Sequence, residues 1–592
     1  MANLVNYYDI ASCSGGKWTK DGFIFIGSKS GSNQIWRKNA EGKCEQVTFM
    51  PERVMAMSVA PNGEDIFFTS DKGGNEQEQI YFLEKGKEPV NLTNNDSARH
   101  QLGGITPDGK SVIFACNARN PKNFDICRLD TETGEQKIIL QNSDSYNTPA
   151  ALSPDGKYLL YNKLKGQSDN CMWIVNLESG EAKNIDEKAS FAQYTNPVWK
   201  KDGSGFYFLT DKDSQFKYLA YYCMNSGNIT KLYEEKWDIE DIALSFDGKY
   251  LSIMVNRDGY SYLEMYNTLT GEFENIPAPP KGVMGNYGMS WAKDSRKMLF
   301  TLTSGKRPPD VWLLDMDRDA VERQTFTSLE GVNPDDMAEP ELHHYKSFDG
   351  LTVPYWYFKA KNRENGPVVI DIHGGPESQK RPTFDPLTQY LLSEGFSIVA
   401  PNVRGSVGYG KNYHHLDDVE KRLDSVADID ALVKHLIESG RAQKDNIGVK
   451  GGSYGGYMTL SCIAHYPDLW AAAVDTVGMS NLETFLENTS EYRRAHRESE
   501  YGTLEHDRET LRRVSPIFKV DKMITPLMVI HGANDPRVPV SETEQMVKSL
   551  EDRGVPVKYL RYEDEGHGIA KKKNKLDCYP QVVEFLKKHM KV

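Results

Sequence analysis

Ser453 stands in Gly451-Gly452-Ser453-Tyr454-Gly455-Gly456, between the apolar run Ile447-Gly448-Val449-Lys450 and a helical pattern through Met458 to His465. A strand that turns sharply into a helix, with glycines where the turn leaves no room for side chains, lifts a serine hydroxyl above a sheet as a nucleophile. Such a hydroxyl needs a base to take its proton and a carboxylate to orient that base. His567 lies in Asp564-Glu565-Gly566-His567-Gly568, directly after the run Val557-Lys558-Tyr559-Leu560. Asp535 ends His531-Gly532-Ala533-Asn534-Asp535, after Leu527-Met528-Val529-Ile530. The order serine, acid, histidine, each at the end of an apolar strand, points to acyl transfer to water through a Ser453 acyl-enzyme. The negative oxygen of the intermediate needs donors. Tyr454 N–H is one, and the backbone of His373-Gly374-Gly375-Pro376 offers the other, with Gly374 or Gly375 left open. Two rivals are weaker. His531 precedes Asp535 and would have to recruit Asp475 or Asp468, so it reads as a structural histidine; Asp564 shares the short loop of His567 and reads as solvated.

The elements that must position these groups alternate. GPVVIDIHGG, FSIVAPNVRG, NIGVKGGSYGG, WAAAVDTVG, TPLMVIHGAND and VKYLRYED read as strands, with helical patterns between them such as DSVADIDALVKHLIES from Asp424. SETEQMVKSLEDRG reads as a helix with Ser541 as its cap and Glu544 completing a capping box. PELHHYKSFDGLTVPYWYFKA reads as a hairpin entering this half. Alternation of this kind predicts a doubly wound, mostly parallel sheet, an α/β-hydrolase domain over residues 329–592, with its ligands at the carboxyl ends of the strands.

The first half repeats itself instead. Copies such as GGITPDGKSVIFACN, ALSPDGKYLLYNK and IALSFDGKYLSIMV align on a turn residue at Gly22, Gly63, Gly109, Gly156, Gly203, Gly248 and Ser295, spaced by 41, 46, 47, 47, 45 and 47 residues. Each copy carries an apolar run, a hairpin turn and an alternating strand, and has length for about four strands. Seven copies predict an all-β seven-bladed β-propeller over residues 1–328. The rival reading, a β-sandwich or tandem small β-domains, does not account for near-constant spacing.

Composition narrows the function classes. A net charge of −13 argues against nucleic-acid binding, which needs a basic surface. Lys571, Lys572, Lys573 and Lys575 form the one conspicuous basic cluster and read as a solvated loop or helix start. The opening MANLVNYYDI lacks the pattern of a secretory signal, and no long uncharged apolar stretch follows, so the expectation is a cytoplasmic protein without a membrane partner. The eight cysteines include no Cys-x-x-Cys pair, so neither a zinc site nor a disulfide framework is suggested; the chemistry expected requires no metal or organic cofactor.

Together, His373-Gly374-Gly375-Pro376, Arg404-Gly405-Ser406-Val407-Gly408-Tyr409-Gly410, Gly451 to Met458, Asn534-Asp535-Pro536-Arg537-Val538-Pro539 and Gly566-His567 resemble the prolyl oligopeptidase family of serine peptidases, most closely its acylaminoacyl-peptidase branch. The resemblance implies a propeller that caps the active site and admits short peptides rather than folded proteins. It implies that Arg537 holds a substrate carbonyl, which a fixed cation at a cleft is suited to do. In that branch His373 replaces a tyrosine oxyanion donor, leaving the backbone to donate. Phe485 and Leu486, after Val474, are the candidates for the side chains around the residue before the cleaved bond. Glu234-Glu235 after Tyr233 resembles the paired glutamates with which dipeptidyl-peptidase relatives hold a free amino terminus, though such a pair is ordinarily solvated. Acylaminoacyl-peptidase and oligopeptidase specificity both stay open, as does homo-oligomer formation. A carboxylesterase on the same triad and a non-catalytic propeller scaffold are the alternatives.

Overall fold

The computed structural model describes residues 3–143, 146–188, 191–285, 287–361 and 366–591. From Cys13 to Arg323 it forms seven four-stranded antiparallel sheets among the described residues, each a simple meander. The repeated turn joins the first two strands of every sheet, and its aligned residue is left-handed in all seven: φ is 114° at Gly22, 70–79° at Gly63, Gly109, Gly156, Gly203 and Gly248, and 58° at Ser295. Glycine takes that conformation without steric cost, which is why six copies carry it. Ser295 instead accepts a hydrogen bond on Oγ from Asp247 N, 2.8 Å away in the preceding blade. The ring closes side by side. Gly15 N donates to Thr301 Oγ1 at 3.0 Å, and Phe23 and Phe25 of the first blade pack with Leu299, Val311 and Leu313 of the last.

The second half is one eight-stranded sheet. Its strands are β1 (Glu341–Lys346), β2 (Thr352–Phe358), β3 (Val368–Ile372), β4 (Ser397–Pro401), β5 (Ile447–Gly452), β6 (Ala472–Thr476), β7 (Leu527–Gly532) and β8 (Val557–Tyr562). They lie in the order β1-β2-β4-β3-β5-β6-β7-β8. The entering hairpin β1-β2 and the β2-β4 pair are antiparallel, and the remaining pairs are parallel. Alternate residues of a strand serve opposite faces: Val368 and Ile370 pack in one apolar core, Val369 in the other. Four helices matter below: α1 (Arg422–Glu438), α2 (Tyr454–His465), α3 (Glu491–Tyr501) and α4 (Lys572–His589).

Two local expectations change. Helix Leu4–Asp9, inside the span assigned to the propeller, packs on the hydrolase half: Tyr8 stacks on Tyr579 with ring centroids 5.2 Å apart, and Tyr7 meets Tyr390 at 5.6 Å. Ser541 does not cap its helix. Val540 is already in the helical region at φ −58°, ψ −23°, so Ser541 lies inside the helix Ser541–Glu551 and no side chain caps the end. Among the described residues no helix is long and apolar enough to cross a membrane.

Candidate active site

Ser453 sits between the last residue of β5 and the first of α2, with φ 59° and ψ −119°. A non-glycine residue there costs roughly 1–3 kcal/mol and is held only by its surroundings. Ser453 N donates to Thr476 O at 2.9 Å, and Ser453 O accepts from Tyr457 N at 3.0 Å. The flanking glycines are steric necessities. A Cβ on Gly455 would lie 2.1 Å from Ile372 O, and one on Gly451 2.2 Å from Gly455 O. The helix thus starts directly against the end of β3, leaving the serine hydroxyl as the group presented at the turn.

Asp535 and His567 follow β7 and β8, and the structure brings them together: His567 Nδ1 donates to Asp535 Oδ2 at 2.6 Å. The other carboxylate oxygen accepts Arg537 N at 2.8 Å and Val538 N at 3.0 Å. Burial would raise the Asp535 carboxyl, but the neighbouring rings of His531, with Nε2 3.6 Å from Oδ2, and of His567, hydrogen-bonded to the same oxygen, outweigh it and hold the group well below the usual carboxylate range. Asp535 is therefore an anion fixed to one ring nitrogen. Ser453 Oγ and His567 Nε2 each carry no hydrogen bond among the described residues. His531 is fully buried, with Nδ1 2.8 Å from Thr543 Oγ1 and Nε2 donating to Val538 O at 3.0 Å, as expected of a structural histidine. Asp475, its alternative partner, is buried and its carboxyl is pushed up to about 7 by that burial.

The loop after β3 faces the elbow. A Cβ on Gly374 would lie 3.4 Å from Ser453 Cβ, and the N–H groups of Gly374 and Gly375 carry no hydrogen bond among the described residues. Tyr454 opens α2, so its N–H is a first-turn donor without an intrahelical partner. His373 Nδ1 donates to Gly374 O at 2.8 Å and Nε2 lies 2.9 Å from Ser406 Oγ. Burial lowers this imidazole to about 4 and keeps it neutral. His373 is thus a brace of the loop. Arg497 of α3 reaches the same loop, with Nη1 3.4 Å from Gly375 O.

The propeller contributes groups that the sequence did not single out. Its loop between strands Ile66–Ser70 and Gln79–Leu83 lies on the His567 loop: a Cβ on Gly74 would be 2.7 Å from Gly566 N, and Asn534 Nδ2 donates to Gly73 O at 3.2 Å. In this loop Glu76 is buried and left-handed at φ 58°. Its carboxylate accepts Arg537 Nε at 2.5 Å and pairs with Arg493 of α3. Burial opposes ionisation of Glu76, but Arg493 and Arg537 outweigh it and lower its pKa. Glu76 N in turn donates to Asp71 Oδ2 at 3.1 Å, while Asp71 Oδ1 is buried with no hydrogen bond among the described residues. A cavity of about 690 Å³ lies here, walled by propeller residues within 28–33, 51–53 and 71–76 and by Arg537, residues 565–573 and Lys575 of the hydrolase half. His567 is in its wall. The only advance signal for Glu76 was the Gly73-Gly74-Asn75 turn before it.

Other expected residues go elsewhere. Phe485 and Leu486 do not line a substrate pocket; both are fully buried in the hydrolase core, Phe485 edge-on to Tyr501 at 5.9 Å, because helix Leu482–Asn488 turns that face inward. Glu234 is paired with Lys231 at 2.8 Å and Glu235 with Arg257, and the depression they line shares no wall residue with the His567 cavity. Asp564 is paired with Lys573 at 2.8 Å and Lys571 at 3.2 Å rather than free in solvent. Asp417, Asp418 and Glu500 bring carboxylate oxygens within 4.8 Å of one another, but the Arg422 guanidinium pairs with Asp417 and Glu500 and supplies the positive charge there.

The sequence profile of the prolyl oligopeptidase family matches residues 382–592, and that of the family's N-terminal beta-propeller domain matches residues 45–327. The chain belongs to the prolyl oligopeptidase family. It is a serine peptidase acting on peptides, which displaces the esterase and scaffold alternatives. Among its relatives, Dipeptidyl peptidase family member 6 of Caenorhabditis elegans is 25% identical over 600 residues, covering 91% of this chain and 79% of the relative. The acylamino-acid-releasing enzyme of Arabidopsis thaliana is 31% identical over 245 residues, covering 39% of this chain and 32% of the relative. Of solved structures, a puromycin-hydrolyzing peptidase of Mycobacterium tuberculosis superposes with TM-score 0.89 at 19% identity, over 100% of this chain and 96% of its own, and shares the fold. Prolyl oligopeptidase family members of different specificity thus resemble different lengths of the chain.

Proposed function

We propose that Ser453, His567 and Asp535 are the catalytic triad and that substrates are short peptides held between the two domains. The observations that support this are the 2.6 Å His567–Asp535 hydrogen bond after β7 and β8 and the serine presented at φ 59° by its elbow after β5, strands of the same sheet. Ser453 Oγ attacks the scissile carbonyl carbon as its proton passes to His567 Nε2, and the carbonyl electron pair moves onto oxygen. Tyr454 N–H and Gly374 or Gly375 N–H receive that oxygen. Collapse breaks the C–N bond, and the amine leaves with the proton from His567. Water then gives a proton to His567 and attacks the ester, releasing the acid and returning the proton to Ser453. Asp535 keeps Nδ1–H directed so that Nε2 faces the serine. Access to the cavity between the propeller and the His567 loop restricts substrate size. Ser453→Ala should abolish hydrolysis of a dipeptide arylamide by a folded protein, and retained turnover overturns the assignment.

A second point concerns the amino end. Arg537 holds a substrate carbonyl in this reading, and Asp71 Oδ1, buried without a hydrogen bond among the described residues, lines the same cavity. A free ammonium group matches that oxygen, whereas a blocked amino terminus leaves it unmatched. This favours peptides with a free amino terminus over acylated ones, in keeping with the name of the Caenorhabditis elegans relative. Faster hydrolysis of a dipeptide arylamide than of its N-acetyl form is expected; the reverse order restores the acylaminoacyl reading.

A further inference from the structure

Helix α3 stands between the propeller and the oxyanion loop and touches both. Its residues Tyr492, His496 and Ser499 recur at spacings of four and three, and Arg493, Arg497 and Glu500 do the same one residue on, so they form two adjacent stripes. The first stripe is seated in the propeller. Tyr492 is buried in an apolar cluster with Ile113 and Phe124 of the third blade and Leu159 and Val175 of the fourth. It stands edge-on to Phe124 and to Tyr146, each at 5.4 Å, and its hydroxyl accepts a hydrogen bond from Arg99 Nη1 at 3.3 Å. His496 is buried and stacks on Tyr146 at 5.3 Å, and Ser499 Oγ accepts Gln167 N at 3.2 Å.

The second stripe meets the elements that carry the oxyanion donors. Arg497 Nη1 lies 3.4 Å from Gly375 O and 3.6 Å from Glu377 Oε2. One turn further, Glu500 pairs with Arg422 at the start of α1, and Arg422 Nη1 donates to the Tyr454 hydroxyl at 3.3 Å. Gly375 has φ 130°, a conformation that glycine takes freely, so neighbouring contacts must decide how the N–H groups of this loop point. His373 holds Gly374 O and Arg497 holds Gly375 O. The Gly375 N–H lies between these two anchored carbonyls. Glu377 competes poorly for the guanidinium, because burial, reinforced by Glu500, pushes its carboxyl up against the pull of Arg497.

Resting on the triad and oxyanion donors proposed above, we propose that Arg497 is a positioning residue of the oxyanion loop, aimed by the seating of Tyr492 and His496 on the third and fourth blades. Docking of the propeller thereby sets the alignment of the oxyanion donors through α3.

The test uses the full-length protein, a dipeptide arylamide, and two inhibitors built on the same dipeptide, its aldehyde and the corresponding alcohol. Only the aldehyde can take up Ser453 Oγ at its carbonyl carbon, passing the serine proton to His567 and the carbonyl electron pair to the oxygen in the hole. Arg497→Met should lower kcat about tenfold, less than the roughly 10²–10³-fold loss of an oxyanion donor itself, with KM within about twofold. Affinity for the aldehyde should fall by the same factor while affinity for the alcohol holds. Arg497→Lys, which keeps a charged donor, should recover part of both losses. Tyr492→Ala should reproduce the pattern, and the double substitution should add little to either single one. His496→Ala, a smaller loss from the same seat, carries the cycle if Tyr492→Ala does not fold. A fall in kcat with aldehyde affinity unchanged marks a merely structural role and overturns the proposal, as does a loss confined to KM. Additive losses in the cycle, or native kcat in a folded seat variant, overturn the link to the propeller. An aldehyde no better than the alcohol on native protein refutes the acyl-transfer reading, whereas an aldehyde preference that survives Arg497→Met refutes only the role of Arg497.

Discussion

Replacing Glu76 by Gln keeps the shape of the side chain and removes the charge that fixes Arg537 from across the domain boundary. Arg537 Nε lies 2.5 Å from Glu76 Oε1, and the second oxygen is taken by Arg493, so the guanidinium is tied to the propeller by one charged contact. A hydrogen bond of this kind contributes about 1.5–3 kcal/mol. Because the Arg537 side chain is 43% exposed, the lower end applies, and the loss in kcat/KM should be about tenfold. The loss should fall mainly on KM, since a carbonyl clamp binds ground state and transition state alike. The assay is a double-mutant cycle in arylamide hydrolysis with Glu76→Gln, Arg537→Met and both. If Glu76 acts by positioning Arg537, the second substitution adds little to the first. Fully additive losses, or a Glu76→Gln enzyme within twofold of native, would refute the reasoning.

Three further outcomes follow from the same geometry. Asp535→Asn should lower kcat by about 10⁴-fold while preserving the fold, because an amide no longer selects the Nδ1–H tautomer of His567; steady-state kinetics with thermal melting checks both parts. Asp475 ionises only near pH 7 in the folded chain, against an ordinary value of 3.8, so its stabilising contribution is present below that ordinary value and lost as pH rises through about 7. Asp475→Asn should flatten a decline of at most about 1.4 kcal/mol per pH unit between those values, and an unchanged pH dependence of melting would count against it. Gly455→Ala should destabilise the hydrolase domain and abolish turnover, because its new Cβ would stand 2.1 Å from Ile372 O; a fully active variant would show that the elbow has room it does not display.

What was legible in the sequence was local. Six of the seven left-handed turns appear as Asp-Gly or Asn-Gly pairs at near-constant spacing, and Ser295, after Asp294, could be aligned with the six glycines because the strand pattern around it persists. Gly451, Gly455 and Gly456 were legible because steric exclusion at the elbow leaves only one residue type. Contacts across the domain boundary left no such trace. Glu76 and Arg537 are 461 residues apart, and nothing in the composition of either segment marks the pair. The lysines after His567 were visible as a cluster, but the direction they face depends on how blades and hydrolase meet. Phe485 and Leu486 have the apolar character of a pocket wall and of a core alike, and packing against Tyr501 decided between them. Ser541 failed as a cap because the backbone had already become helical one residue earlier.

Fluorophosphonate labelling followed by peptide mapping asks most directly whether one hydroxyl is activated by His567. One adduct should form, on Ser453, and His567→Ala should suppress it. Absence of an adduct on folded native protein, or its location on another serine, would contradict the account.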